Sequence, residues 1–249
     1  MNSAESSALN GLTSENGHSD HRVNVAVDIA LFTIRDESLQ VLLIERGIRP
    51  FRHHWALPGG LVRSDIGEKG EHPEEAALRE LNEETGISQD MVGYLEQLGA
   101  YGDPERDPRN RVISIAYFGI RPMSTEPTVG SGASDAFFVN VDQIGKPLAF
   151  DHDSVLSDAI ERARAKLEYS TIATEFCPPE FTISELRKVY EIVWGLPLDA
   201  GNFQKKVLGS SGFVEDTGRT AESSTTGGRP AKLYRAGNAS LISPSIRRN

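Results

Sequence analysis

The chain has 249 residues, a net charge of −10, 25% charged residues and one cysteine. This length leaves room for two domains, and the composition is that of a globular protein rather than a fibrous or low-complexity one. The single thiol, Cys177, excludes an internal disulfide and points to the reducing cytoplasm, and no apolar run approaches the ~20 residues that span a bilayer.

Residues 1–20 are rich in Ser, Asn, Gly and Glu and are expected to form a disordered tail. Their polar character lacks the basic and apolar stretches of a secretory leader, so none is expected. Val23, Val25, Val27, Ile29 and Leu31 recur at period two and predict a strand. Asp36-Glu37-Ser38 predicts a hairpin turn into a second strand over residues 40–45. Leu57-Pro58-Gly59-Gly60 predicts a tight turn where backbone can approach a ligand closely.

A helix is predicted from Pro73, whose missing N–H costs nothing in a first turn, to the natural stop at Gly86. Glu74 and Glu75 favour its positive end, and Ala76, Ala77, Leu78 and Leu81 are good helix formers. Glu80, Glu83 and Glu84 then share a face at i, i+3 and i+4. Such close carboxylates repel, and a divalent metal with oxygen ligands would offset the repulsion. A diphosphate between that metal and the glycine turn makes a coherent site; a solvated acidic helix is the plain alternative. The string Gly60, Glu71, Arg79-Glu-Leu-Asn-Glu-Glu-Thr-Gly-Ile87 resembles the Nudix box of hydrolases that cleave nucleoside diphosphates linked to another moiety. One departure is that ten residues, 61–70, separate Gly60 from Glu71 where the family has five.

Residues 94–101, 112–118 and 136–141 read as further strands, giving an α+β domain with a mixed sheet, in agreement with the Nudix fold that the box implies. The composition shifts near residues 148–152. From there Leu156, Ile160, Ala163 and Leu167 form one stripe of a helix expected over 153–168. The expected division is therefore a Nudix-like domain over 21–150, a second domain over 151–240 and a flexible tail over 241–249.

Charge is also divided: residues 1–150 carry 23 acids and 13 bases, whereas residues 200–249 carry three acids and eight bases. A basic end on an acidic chain suits a DNA-binding module. Thr182 and Glu185 form a capping box opening a helix that Gly195 stops, and Asp199 is a good N-cap for a second helix to about Gly209. Two helices joined by a Gly/Pro turn fit a helix-turn-helix. On the second, Phe203, Val207 and Leu208 are expected in the core. Asn202, Lys205 and Lys206 fall on another face, which either reads DNA or is merely solvated. Residues 212–218 and 227–235 then predict a wing, with Arg229 placed to enter a minor groove.

Taken together, the box, Leu148-Ala-Phe-Asp-His152, Phe181-Thr-x-x-Glu-Leu-x-x-Val-Tyr-Glu191, Asp199-x-x-Asn-Phe-x-x-Lys206-Val207 and Gly228-Arg-Pro-Ala-x-Leu-Tyr-Arg235 resemble the NrtR family, Nudix-related transcriptional regulators of NAD metabolism. The resemblance spans about residues 21–236. It implies a winged helix-turn-helix homodimer on a palindromic double-stranded DNA operator, repressing NAD biosynthesis or salvage genes and sensing ADP-ribose or a related metabolite. By position, Asn202, Gln204, Lys205 and Lys206 would face the major groove, with Arg229 in the wing. Gly59, Gly60, Arg79, Glu80, Glu83 and Glu84 would line the ligand site. Arg46 would meet the diphosphate or be a strand-end charge; Trp55 and Phe51 would stack on an adenine or belong to the core. The alternative is an ADP-ribose pyrophosphatase in which Mg²⁺ held by Glu80, Glu83 and Glu84 activates water and Arg79 orients a glutamate. Intact glutamates keep a bifunctional enzyme-regulator open.

Overall fold

Strand β1 (Asn24–Arg35) is the axis of the first domain. The computed structural model describes residues 22–65, 69–122, 127–130, 133–221 and 230–248; the expected tail over 1–20 lies outside them. One edge of β1 runs parallel to β6 (Val112–Ile120). The other edge is shared, residues 26–28 pairing with β4 (Gly59–Leu61) and residues 32–35 with β2 (Ser38–Arg46). Asp36 and Glu37 make the hairpin turn, both with positive φ, the geometry that matches the twist of paired strands. β2 then diverges from β1 to pair with β3 (Trp55–Ala56) and β7 (Ala133–Asn140). β5 (Tyr94–Tyr101) pairs with the outer edge of β6. The sheet is mixed, as expected.

Both faces of β1 are buried. Val27, Ile29 and Leu31 pack on Ala76, Ala77 and Leu81 of α1 (Pro73–Thr85). Ala30 and Phe32 join the core containing Val155, Ala159 and Leu167 of α2 (His152–Tyr169). Gly59 and Gly60 differ from expectation: they lie in β4, not in a turn. Their lack of a side chain is needed because a Cβ on Gly59 would run into the β1 backbone and one on Gly60 into the Glu80 carboxylate.

Helix α2, expected to open the second domain, is common to both units. Toward the sheet, Arg162 donates to Glu96 and to the Leu98 carbonyl. On its other side, its Arg164 carbonyl accepts from Trp194 Nε1 at 3.0 Å. The second unit contains α3 (Ile183–Trp194), α4 (Ala200–Gly209), β8 (Val214–Thr220) and β9 (Lys232–Ala236). Thr182 and Glu185 form the expected capping box, and Asp199 caps α4 through the Asn202 N–H. Phe203 and Val207 are buried, but Leu208 is 46% exposed, because one further residue turns it about 100° away from Val207. Arg229 falls among residues 222–229, outside the described residues.

The segment expected to be a flexible tail is instead packed. Ile242 and Ile246 are buried, and their N–H groups donate to the Tyr169 and Glu168 carbonyls. Carbonyls in the last turn of a helix have no partner within it, so the segment completes the end of α2. Sparse apolar residues among Ser and Pro gave little sign of this. Among the described residues, no helix is long and apolar enough to cross a membrane.

Candidate functional site

Glu80, Glu83 and Glu84 of α1 do not converge on one point. Arg79 occupies the centre of the acidic cluster, contacting Glu71 through Nε and Nη2, Glu80 at 2.6 Å and Glu83 at 3.3 Å. Glu83 also meets Arg63 at 3.1 Å. Among the described residues, no group of three His, Cys, Asp or Glu side chains is arranged to hold a metal. Glu80 and Glu84 do face a common cleft. Glu84 is buried and accepts from the Gly59 N–H at 3.0 Å. Burial pushes its carboxyl up to about 8; the Gly59 hydrogen bond works against this and the Glu80 charge adds to it.

The cleft, of about 290 Å³, lies where β2 separates from β1. Its acids are Asp28, Glu80, Glu84 and Asp107, and its arginines are Arg46, Arg106 and Arg109, with Arg109 paired to both oxygens of Asp107. Arg46 is thus a cleft residue. Its guanidinium sits 4.7 Å from the Phe150 ring centre and donates to the Pro50 carbonyl. Burial, with Arg109 nearby, lowers the Arg46 pKa, against the opposing pull of Glu84, Asp107 and Asp28. Arg109 also lines an adjoining hollow of about 530 Å³ with Phe51 and His54. The two spaces together suit an elongated anionic ligand with an aromatic end.

Trp55 does not line the cleft. Half-buried, it packs edge-on against Phe137 at 5.0 Å at the margin of the core, with Lys146 over its ring. Phe51 packs edge-on against Phe150 at 4.9 Å on the outer rim. Phe150 was missed as a site residue, although it lies in a string already singled out. Its φ of 58° is unusual for a bulky side chain and is the kind of strain that gathers at functional sites. Arg106, Asp107 and Arg109 were missed because nothing in a charged loop marks which members turn inward. Asp28 did carry a signal: it is the one acid among the apolar residues 25–34.

On α4, Asn202, Gln204, Lys205 and Lys206 are all exposed. Asn202, Lys205 and Lys206 line one groove beside the α3–α4 turn, whereas Gln204 lies outside it.

Within the cleft lining, buried Asp28 accepts from Arg106 at 3.1 Å and from the Ser114 hydroxyl at 2.5 Å. His152 Nε2 lies 3.2 Å from the same carboxylate. The Leu57 N–H donates to His152 Nδ1 at 2.9 Å, which orients the ring with Nε2 toward Asp28, beside the Arg106 guanidinium. Arg106 is in turn gripped by both oxygens of Asp151. Burial alone would raise the Asp28 pKa, but His152, Arg106 and Ser114 outweigh it and hold the carboxyl at about 2, against 3.8 unperturbed. A depressed folded value gives stability that is present above the unfolded pKa and lost as pH falls through the folded one. The loss is about 2 kcal/mol for such a shift. Denaturant titrations between pH 4 and 2 are expected to show this slope in the unaltered protein and a flatter one in Asp28→Asn; equal slopes would contradict the network's role.

Residues 24–159 match the NUDIX domain family, and residues 173–236 match the NrtR DNA-binding winged helix domain. The chain is 36% identical over 212 residues to the ADPR responsive transcriptional repressor NtrR of Acinetobacter baylyi, covering 85% of this chain and 81% of that protein. The crystal structure of Shewanella oneidensis NrtR complexed with a 27mer DNA superposes with a TM-score of 0.73 at 30% identity, covering 90% of this chain and 99% of that one. The NUDIX domain of the same protein complexed with ADP ribose superposes with a TM-score of 0.50 at 33% identity, covering 56% and 87%. With a Nudix domain, an NrtR winged helix and this likeness along most of its length, the chain belongs to the NrtR family of transcriptional regulators.

Proposed function

We propose that the protein represses genes of NAD biosynthesis or salvage by binding a palindromic operator as a homodimer, and that ADP-ribose in the Nudix cleft controls its hold on DNA. The carrying observation is the pairing of a cleft lined by Arg46, Arg106 and Arg109 with an exposed helix face bearing Asn202, Lys205 and Lys206. The names of its relatives, an ADPR responsive repressor and DNA- and ADP-ribose-bound NrtR structures, support both halves. In this reading Arg46 and Arg109 meet the diphosphate and Gly59 and Gly60 allow its close approach. Asn202 and Gln204 read base edges in the major groove while Lys205 and Lys206 hold phosphates. Arg229 keeps its minor-groove assignment on sequence grounds. A dimer matches the two-fold symmetry of a palindrome.

The ligand must bind the two arrangements of the protein with different affinities to act on DNA binding at all. The route we assign runs through Arg106. An anion drawn to it competes with Asp28 and Asp151, and Asp151 directly precedes the first turn of α2. The test is selection of bound fragments from sheared genomic DNA by the full protein, with and without ADP-ribose. Enrichment of a palindrome beside NAD-metabolism genes, lost on adding ADP-ribose, is expected. Retention of only salt-sensitive background would overturn the proposal.

A second reading, hydrolysis of ADP-ribose, is favoured by Glu80 and Glu84 facing the cleft. Two adjacent carboxylates, one of them desolvated, suit a hard cation such as Mg²⁺, which would neutralise charge on the diphosphate. Glu83, held by Arg63 and Arg79, does not complete the three-glutamate set. If hydrolysis occurs, Glu84→Gln is expected to reduce AMP release from ADP-ribose and Mg²⁺ by at least 10²-fold, with ligand-free DNA affinity unchanged. Turnover surviving in that variant places the chemistry elsewhere.

A further inference from the structure

The cations of the winged-helix unit sort themselves by whether they have partners. Between residues 181 and 248, nine lysines and arginines are described. Six are in ion pairs: Arg187 with Glu191, Lys188 with Glu37, Arg219 with Glu180, Lys232 with Asp216, Arg235 with Glu215, and Arg248 with Glu161 and Glu168. The three for which no pair forms among the described residues are Lys205, Lys206 and Arg247. All three line the same groove of about 770 Å³, although Arg247 lies some forty residues away in the chain. The one acid on that groove, Asp199, is turned to the Asn202 N–H as the cap of α4.

We propose that Arg247, carried beside α4 by the packed segment 241–248, is an additional DNA-contacting residue that holds a backbone phosphate of the duplex docked on α4. This rests on the DNA-binding function proposed above and extends its interface beyond residue 236, where the winged-helix family match ends. The charge is complementary to a polyanion, and it is already in position. Ile246 is 2% exposed and its N–H is bound to the Glu168 carbonyl, so the residue before Arg247 is anchored. A guanidinium whose backbone is held in this way loses less conformational freedom on binding than one on a free chain end. Apolar side chains of the groove, Pro197, Leu198 and Pro244 among them, suit the sugar edge that flanks a phosphate.

The experiment measures binding of the full protein to a mixed-sequence duplex three helical turns long, as a function of salt concentration. Non-specific binding of this kind is driven by counterion release, with a slope of about 0.9 per phosphate contact. Arg247→Ala is expected to weaken binding and flatten the slope by about that amount. The affinity gap to the unaltered protein then narrows roughly threefold for a fourfold rise in salt. Arg247→Lys should restore most of the slope, and Arg248→Ala, whose guanidinium is paired with Glu161 and Glu168, should leave it unchanged. Lys205→Ala with Lys206→Ala separates the two levels of the proposal. If that pair weakens binding while Arg247→Ala leaves slope and affinity intact, the Arg247 assignment is overturned alone. If neither variant has an effect, the recognition-helix assignment falls with it. A loss of dimer by light scattering in Arg247→Ala, with the salt slope unchanged, would make the groove an interface between copies of the chain and also overturn the proposal.

Discussion

The structure depends on a carboxylate that has been taken out of water. Asp28 sits in the middle of the sheet, where an uncompensated charge is among the most costly things a fold can hold. Its compensation comes from three separate places: Ser114 on β6, Arg106 on the β5–β6 loop and His152 in the first turn of α2. Arg106 carries Asp151 with it, and His152 carries the Leu57 N–H. One buried charge therefore draws four segments into a single arrangement. Removing any one of them leaves the others with an unmet charge or hydrogen bond.

That arrangement relates the cleft to the winged-helix unit. Helix α2 begins at the network, runs for 18 residues across the sheet, and ends where residues 242 and 246 close its last carbonyls. It also meets Trp194 at the end of α3. The apolar core is continuous along this path, from Phe32 and Phe118 in the sheet to Tyr190, Phe203 and Tyr234 in the winged helix. A displacement at the first turn of α2 has no soft linker in which to dissipate, because tightly packed interiors transmit strain. An anionic ligand attracted to the cleft arginines would compete for the same guanidinium that holds the network together.

Much of this was legible in the sequence where the signal is local. The Thr182–Glu185 capping box, the Phe203–Val207 pair and the strand periodicity from Val23 each depend on neighbours within a few residues. The family likeness rested on such strings. Interactions across the fold were not legible. Glu83 faces arginines rather than its fellow glutamates because Arg63, on the inserted loop, folds back to it. Gly59-Gly60 reads as a turn until β1 and the Glu80 carboxylate are seen pressing on it from both sides. Phe150 and Arg109 enter the cleft from separate loops, and no spacing rule links them. The packed segment over 241–248 was missed because two isoleucines in a polar stretch weigh little until the open end of α2 is known.

In the proposed mechanism the cleft communicates with α4 through the Arg106–Asp151 contact. The most direct test is the ratio of DNA affinities without and with saturating ADP-ribose, measured on the unaltered protein and on Asp151→Asn. Asp151 is outside the cleft lining, so ADP-ribose should still bind the variant, which calorimetry can verify. A ratio well above one is expected for the unaltered protein, in the roughly 5–150-fold range typical of coupled sites, and a ratio close to one for the variant. An undiminished ratio in Asp151→Asn, with ligand still bound, would contradict this mechanism.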